Sequence, residues 1–137
     1  MSKDWVKDIN EMQSKYQTHD WIKNADLNQL RAFLRFRVDF LEEELTETRN
    51  AQKVIDSEEI VDGLVDLCVV AIGTLDAFGV DPYKAWDSVL EANMAKEPGV
   101  KEGRPNPLGL PDLMKPEGWT APSHEGNHGI LPKLKGE

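Results

Sequence analysis

The chain has 137 residues, a length at which one domain around one buried core is the default expectation. Hydrophobic residues make up 39% and charged residues 30%, which is unlike a disordered chain or a membrane protein. The formal net charge of -9 argues against nucleic acid as a partner, because proteins that bind its backbone are usually basic. A phosphate ligand is compatible with this charge, since clustered carboxylates can hold divalent cations that in turn hold phosphates.

No run approaches the roughly 20 apolar residues that a membrane-spanning helix needs, and the first residues contain no apolar signal-peptide core. We therefore expect a cytoplasmic protein without a membrane partner, in the host cytoplasm if a virus encodes it. The single cysteine, Cys68, lies in an apolar run, so no disulfide framework exists. We interpret Cys68 as a small hydrophobic residue of the core.

The first two predicted helices precede residue 53. Residues 3–17 form an amphipathic helix, because apolar positions recur at helical spacing along them. A second helix, capped by Asn24 or Asp26, runs to about Gln52. Its apolar stripe contains one acidic residue, Glu44.

Two further helices complete the predicted core. The third opens near Asp56 or Ser57 and continues to Phe78, and it is apolar nearly all round after residue 63, which predicts a central position. Asp81 caps the fourth, with proline at its first position, and that helix ends before Pro98. Seven of the eight prolines and seven of the ten glycines follow Glu97, so regular helix cannot continue.

The predicted fold is all-α. Residues 1–96 form a four-helix bundle core that includes the N-terminal amphipathic helix, and residues 97–137 form an extended arm rich in proline and glycine. Spaced leucines and Trp119 predict that this arm packs on the bundle or on a neighbouring subunit, the alternative being a disordered tail.

Acidic residues recur at three- and four-residue steps on the second and third helices. If these helices pack antiparallel, Glu44 and Glu47 can face Asp62 and Asp66 across the core. Burying unpaired carboxylates costs several kcal/mol, so something must neutralise them. One interpretation is a magnesium site, because this cation prefers oxygen ligands. The other is a structural network in which Asp66 pairs with a base; the candidate bases are Arg35, Arg37 and Lys96.

Several segments resemble the all-α nucleoside triphosphate pyrophosphatases, a superfamily that includes MazG-like proteins, dimeric dUTPases and phosphoribosyl-ATP pyrophosphohydrolases. The resemblance to the last branch is especially marked, and it covers residues 5 to 122. It is carried by Glu43-Glu44-Leu45-Thr46-Glu47, Glu59-Ile60-Val61-Asp62 with Asp66, residues 62–67 and 70–74, Glu91-Ala92-Asn93-Met94-Ala95-Lys96 and Lys115-Pro116-Glu117-Gly118-Trp119.

The resemblance implies a magnesium-dependent hydrolase, with manganese able to substitute, that splits a nucleoside triphosphate into a monophosphate and pyrophosphate. It implies metal ligation by Glu44, Glu47, Asp62 and Asp66, and phosphate contacts from Asn93 and Lys96. Glu43 is then a supporting group near the ligands or the general base, and the implied catalytic residues are Glu43, Glu44 and Glu47. Many relatives place a Glu where this chain has Gly63, so Asp62 or Glu59 must supply the missing oxygen.

The substrate and partners are less constrained by the sequence. By their placement over the bundle, the candidates for a base pocket are Ile9, Met12, Tyr16 and Trp21, and we favour a purine, with dGTP or GTP first. The alternatives are phosphoribosyl-ATP hydrolysis and a non-catalytic acidic interaction module. The three histidines lack the ligand spacing of zinc sites. Self-association is expected, as a homotetramer or else a homodimer.

Overall fold

The computed structural model describes residues 3–104 and 106–136. Two compact units are present, one comprising the residues up to Pro82 together with those from His128, the other Tyr83–Asn127. In the described residues, α-helices dominate and strands are limited to two segments of three residues each. The predicted all-α class is therefore confirmed.

The first unit begins with two short helices where one was predicted. Helix α1 spans Trp5–Lys15, and its N-cap Asp4 accepts a hydrogen bond from the backbone N–H of Lys7 at 3.0 Å. Gln17 then adopts a left-handed conformation with φ of 61°, which ends the predicted helix and turns the chain into α2, Thr18–Asn24.

The two long helices start at aspartate caps. Helix α3 spans Leu27–Val54 behind a capping box, in which Asp26 accepts from the Gln29 backbone and the Gln29 side chain accepts from the Asp26 backbone, each at 2.8 Å. Helix α4 spans Ser57–Ala77, and its cap Asp56 accepts from a backbone N–H of the first turn. Asp26 and Asp56 stand where the sequence predicts the helix starts.

Helices α3 and α4 pack antiparallel through two glycines of α4. A Cβ atom on Gly63 would lie 2.2 Å from the Thr48 hydroxyl oxygen, and one on Gly73 would lie 3.2 Å from an Arg37 guanidinium nitrogen. Arg37 thus lies beside Gly73, and Thr48, which is later in α3, lies beside Gly63, which is earlier in α4. The two helices are therefore antiparallel. The absence of side chains at both glycines lets the two backbones approach closely.

A hydrophobic cluster closes one end of this unit. It contains Ile22, Leu30, Ala77 and Phe78, of which Phe78 is 1% exposed. Apolar residues of a 3-10 helix, Leu131–Lys135, pack against it. The turn before that helix needs Gly129, whose φ is 54° and whose Cβ would overlap the Phe78 carbonyl oxygen.

One face of α4 is apolar but exposed in the described part of the chain. Val61, Leu64, Val65 and Cys68 all lie on it and are all exposed, Val61 at 64%. The interpretation of Cys68 as a core residue is therefore wrong. An apolar run of sequence identifies residues that favour burial, but nothing in residues 3–104 and 106–136 buries this face.

The second unit contains α5, Pro82–Met94, apart from its first residue, and two short strands. The strands β1, Glu97–Gly99, and β2, Asp112–Met114, pair antiparallel with Pro98 opposite Leu113. The prediction for the tail contained no strand. The division into a core of residues 1–96 and an arm stays a prediction, although residues from His128 onward belong to the first unit.

Among the described residues, no single helix is long and apolar enough to cross a membrane, and only α4 and α5 taken together reach that length and composition.

Candidate active site

Five carboxylates are brought together where α3 and α4 run past each other. Glu43, Glu44 and Glu47 lie within one turn of α3, just before Thr48. Asp62 and Asp66 flank Gly63 on α4, and Gly63 is the residue that Thr48 touches. Because the helices are antiparallel, the turn before Thr48 lies beside the turn after Gly63. The predicted facing of the two acidic sets follows from this register.

The electrostatics of Glu44 report this clustering. Partial burial raises the pKa of the Glu44 carboxyl above its ordinary value, and the negative charges of the other four carboxylates raise it further, in the order Glu47, Asp66, Asp62 and Glu43. Four negative charges that raise the pKa of Glu44 disfavour its ionised form. A cation placed among them would remove that cost.

The structural alternative for Asp66 is a salt bridge with a base, and it is not found. In residues 3–104 and 106–136, Asp66 forms no ion pair. Arg37 instead donates a hydrogen bond to the side-chain oxygen of Gln13 at 3.2 Å and lies over the Phe33 ring, 4.9 Å from its centre. Asp66 therefore has no counter-ion among the described residues.

Position 63 cannot carry a ligand in this packing. A Cβ there would already overlap the Thr48 hydroxyl, whose own hydrogen bond to the Glu44 carbonyl, at 2.8 Å, holds it in place. Of the two residues that could replace the missing oxygen, Asp62 acts on the pKa of Glu44, whereas Glu59 is not among the groups that do. The charge distribution thus favours Asp62.

An aromatic cavity of about 680 Å³ opens in the same unit. Two predicted base-pocket residues, Tyr16 and Trp21, line it, while Ile9, which is buried, and Met12 are not among its lining residues. The sequence reasoning missed its other walls, which include Asn24, Gln29, Phe33, Phe36 and Arg37. Trp21 and Phe33 are in ring contact, with centres 5.5 Å apart.

The cavity and the carboxylates are connected through α3. Arg37 lines the cavity and precedes Glu44 by seven residues, which is two helical turns and about 10 Å along the axis. Residues seven apart point in nearly the same direction from a helix. Burial lowers the pKa of Arg37, yet an arginine stays protonated, so a positive charge lies in the cavity wall, two turns of α3 before Glu44.

A polar network in the same unit was also missed. Asp76 of α4 accepts hydrogen bonds from Asn10 at 2.8 Å and from Gln13 at 2.6 Å, and it pairs with His19 at 2.6 Å. Burial by itself would raise the pKa of Asp76, but these hydrogen bonds and the charge of His19 outweigh burial and lower it. Through Gln13, which also accepts from Arg37, the network ties four helices together.

The predicted phosphate contacts, Asn93 and Lys96, lie in the second unit. Asn93 is exposed in the last turn of α5, and Lys96 follows that helix with its ammonium 5.3 Å from the centre of the Trp119 ring.

The predicted resemblance to the all-α nucleoside triphosphate pyrophosphatases is confirmed by the match to a family of that superfamily. Residues 12–93, more than half of the chain, match the family model described as Phosphoribosyl-ATP pyrophosphohydrolase, and the chain belongs to this family. Family membership indicates pyrophosphohydrolase activity on nucleotides. A comparison with curated proteins finds no match.

Proposed function

We propose that this protein is a magnesium-dependent hydrolase that splits a nucleoside triphosphate between its α- and β-phosphates. Water adds to one phosphorus while the bond from that phosphorus to the bridging oxygen breaks, and the products are a nucleoside monophosphate and pyrophosphate. The observation that carries the proposal is the set of four carboxylates whose charges act on Glu44. A cluster this acidic is suited to a cation that also binds phosphate.

The chemistry of the donors fits magnesium. Glu44, Glu47, Asp62 and Asp66 offer only carboxylate oxygens, the ligands that this cation prefers. As the side chains stand, no three His, Cys, Asp or Glu residues of the described chain are placed together as a metal-binding group. In the proposal, these side chains change rotamer when the cation binds, because without it their like charges repel.

When bound, the cation supplies positive charge to the α- and β-phosphate oxygens. The chain's own residues then have distinct tasks in the proposed reaction. Glu43 is the general base that takes a proton from the attacking water, because it neighbours the ligand set without being needed in it. Asn93 and Lys96 bind phosphate oxygens by hydrogen bonding and charge. No covalent intermediate is required, since catalysis rests on positioning and charge.

We assign the nucleobase to the aromatic cavity. Its volume suffices for a base with part of the sugar, and Trp21 and Phe33 provide surfaces on which a planar ring can stack. Asn24 and Gln29 bring amide groups, which can hydrogen-bond to the edge of a base. A purine makes the larger stacking contact, so dGTP or GTP stays our first choice.

Self-association is the second part of the proposal. Besides the exposed apolar face of α4, the apolar residues Val38 and Leu45 of α3 are also about half exposed. Contiguous apolar surface of this kind is typical of protein interfaces. We propose a homotetramer, with a homodimer as the second choice. Light scattering after size exclusion would contradict both by giving a mass near 15.5 kDa.

The substrate is tested with a panel of the eight canonical ribo- and deoxyribonucleoside triphosphates and phosphoribosyl-ATP, each with magnesium or manganese. Turnover of one triphosphate, lost in Glu47→Gln and Asp66→Asn, supports the proposal and identifies the base. Turnover of phosphoribosyl-ATP alone would replace the substrate but keep the site, a second candidate that the family description favours. No turnover of any compound would favour an acidic interaction module.

A further inference from the structure

Arg37 is a half-buried cation in the wall of the aromatic cavity, and no carboxylate neutralises it. Among the described residues Arg37 forms no ion pair, and neither does Asp20, the other charged residue of that wall. Desolvation alone lowers the pKa of Arg37, so the guanidinium loses contact with water without gaining an opposite charge. Hydrogen-bond acceptors on a ligand in the cavity would offset this loss.

The guanidinium is held in place from two sides. One of its terminal nitrogens, Nη2, donates to the side-chain oxygen of Gln13 at 3.2 Å, and the group lies over the Phe33 ring, 4.9 Å from its centre. The Gln13 amide cannot be reversed, because its NH₂ group donates to Asp76 at 2.6 Å and an ionised carboxylate only accepts. The oxygen of Gln13 must therefore face Arg37, which fixes the position of the guanidinium before a ligand binds.

Most of the donors of Arg37 remain unused. A guanidinium carries five N–H groups in one plane, and Gln13 accepts from one of them. Whichever Nη2 hydrogen Gln13 takes, the second one lies beside the Nε hydrogen or beside an Nη1 hydrogen, so one pair of parallel donors stays free. In the described part of the chain, no fully buried side-chain nitrogen or oxygen lacks a partner, so Nε and Nη1 are open to solvent.

A pair of parallel donors distinguishes between the purines. Guanine presents two neighbouring acceptors, the oxygen at position 6 and N7, and arginine binds this pair with two hydrogen bonds. Adenine presents N7 beside an amino group, whose hydrogens face those of the guanidinium. The Phe33 ring contacts both Trp21 and Arg37, so a base stacked on Trp21 comes within reach of Arg37 through its edge.

We propose that Arg37 determines the base specificity of the cavity and selects 6-oxopurines by donating two hydrogen bonds, to the oxygen at position 6 and to N7. The choice of ligand rests on the proposed function, which places a nucleobase in this cavity. Hypoxanthine should be accepted as readily as guanine, because the two bases differ only in the 2-amino group, which Arg37 does not contact. Gln13 is a positioning residue for Arg37.

Calorimetric titration of the full chain with four deoxynucleoside monophosphates, in magnesium buffer, tests the assignment. Their bases are guanine, hypoxanthine, adenine and 7-deazaguanine, in which carbon replaces N7. All four carry the same phosphate, so differences in affinity report on the base. The guanine and hypoxanthine compounds should bind equally tightly, and the adenine and 7-deazaguanine compounds about tenfold more weakly.

Two variants test the residue itself. Arg37→Gln should abolish the preference for guanine over adenine, because a glutamine amide pairs with the N7 and amino group of adenine. Arg35→Gln removes an equal charge from the same helix at an exposed position outside the cavity, and it should keep the wild-type ratio of affinities. The comparison of the four compounds in the wild type needs no variant, so it stands even if Arg37→Gln fails to fold.

Three results would overturn the assignment. The first is 7-deazaguanine or adenine bound as tightly as guanine, and the second is no binding of any of the four compounds. The third is an equal loss of affinity for all four in Arg37→Gln, which would mean that Arg37 contacts the phosphate or only supports the cavity. Hydrolysis of nucleoside triphosphates without this base preference refutes the role of Arg37 only, whereas selective binding of guanine without any hydrolysis refutes the proposed hydrolase only.

Discussion

Gly63→Ala is the substitution whose effect the structure defines most narrowly. The added Cβ would lie 2.2 Å from the Thr48 hydroxyl oxygen and 3.3 Å from the Thr48 Cβ atom, so α3 and α4 must separate or Thr48 must rotate. Rotation would break the hydrogen bond from Thr48 to the Glu44 carbonyl. The χ1 torsion of threonine is also restricted, because its Cβ atom is branched. The separation would act on the turns that carry the five carboxylates.

The expected magnitude combines two opposing effects. Overfilling a packed interface costs about 1–3 kcal/mol, whereas alanine stabilises a helix interior by about 1 kcal/mol relative to glycine. We therefore expect the free energy of unfolding to fall by up to about 2 kcal/mol. If helix separation displaces the catalytic groups by about an ångström, kcat/KM should fall about a hundredfold.

Urea unfolding and steady-state hydrolysis, at one fixed protein concentration, measure both effects. Thr48→Ala removes the hydroxyl that the new methyl meets, so the double variant should recover much of the lost stability and activity. Gly73→Ala is the matched comparison in the same helix, because the nearest atoms to its added Cβ, the side-chain ends of Gln13 and Arg37, lie farther away, at 2.9 and 3.2 Å, and it should cost less. Strict additivity of Thr48→Ala and Gly63→Ala would refute the reasoning.

Three further predictions follow from individual contacts. Asp76→Asn should lower the free energy of unfolding at pH 7 by about 2–3 kcal/mol. Because the pKa of Asp76 is lowered in the folded state, the wild type should lose this stabilisation only as pH falls below about 4. An unchanged acid unfolding transition in the variant would contradict this. Gly129→Ala should destabilise more than Gly126→Ala in urea unfolding, since both have positive φ but only the former meets a carbonyl oxygen. Trp21→Ala should raise KM for the nucleotide about tenfold through lost stacking, whereas Trp5→Ala, which lies outside the cavity, should not.

The long helices could be predicted because their ends carry local signals. Asp26 and Asp56 cap backbone N–H groups a few residues ahead, and such pairs are visible in the sequence. The break at Gln17 carries no such signal, because neither glycine nor proline is present where the chain turns left-handed. The predicted first helix ends at Gln17, close to the observed end of α1, but the short helix α2 that follows it was not predicted.

The carboxylate cluster could be predicted for a different reason. An antiparallel pair joined by a short loop has few possible registers, so Glu44 and Asp66 had to come near each other. The exact contact between Gly63 and Thr48 depends on side-chain packing and needed the structure. Asp76 carried the same signal as Asp66, a single charge in an apolar helix, but its partners come from distant segments.

Burial was the property that sequence patterns predicted least well. The apolar run around Cys68 indicates a preference for burial, and whether that preference is met depends on what covers the helix. The walls of the aromatic cavity pose the same difficulty, since Phe33 and Phe36 lie on the helix that also carries the acidic residues. Only their arrangement around Trp21 separates a cavity wall from an ordinary core.

Product analysis by phosphorus NMR tests the central claim, that the cluster between α3 and α4 cleaves the bond between the α- and β-phosphates. The wild type with magnesium should release nucleoside monophosphate and pyrophosphate in equal amounts, and Glu47→Gln should release neither. Glu11→Gln is the control, because Glu11 is an exposed carboxylate of α1 that is not among the groups acting on the pKa of Glu44, and this variant should match the wild type. Release of diphosphate and inorganic phosphate, or equal turnover by Glu47→Gln and the wild type, would contradict it.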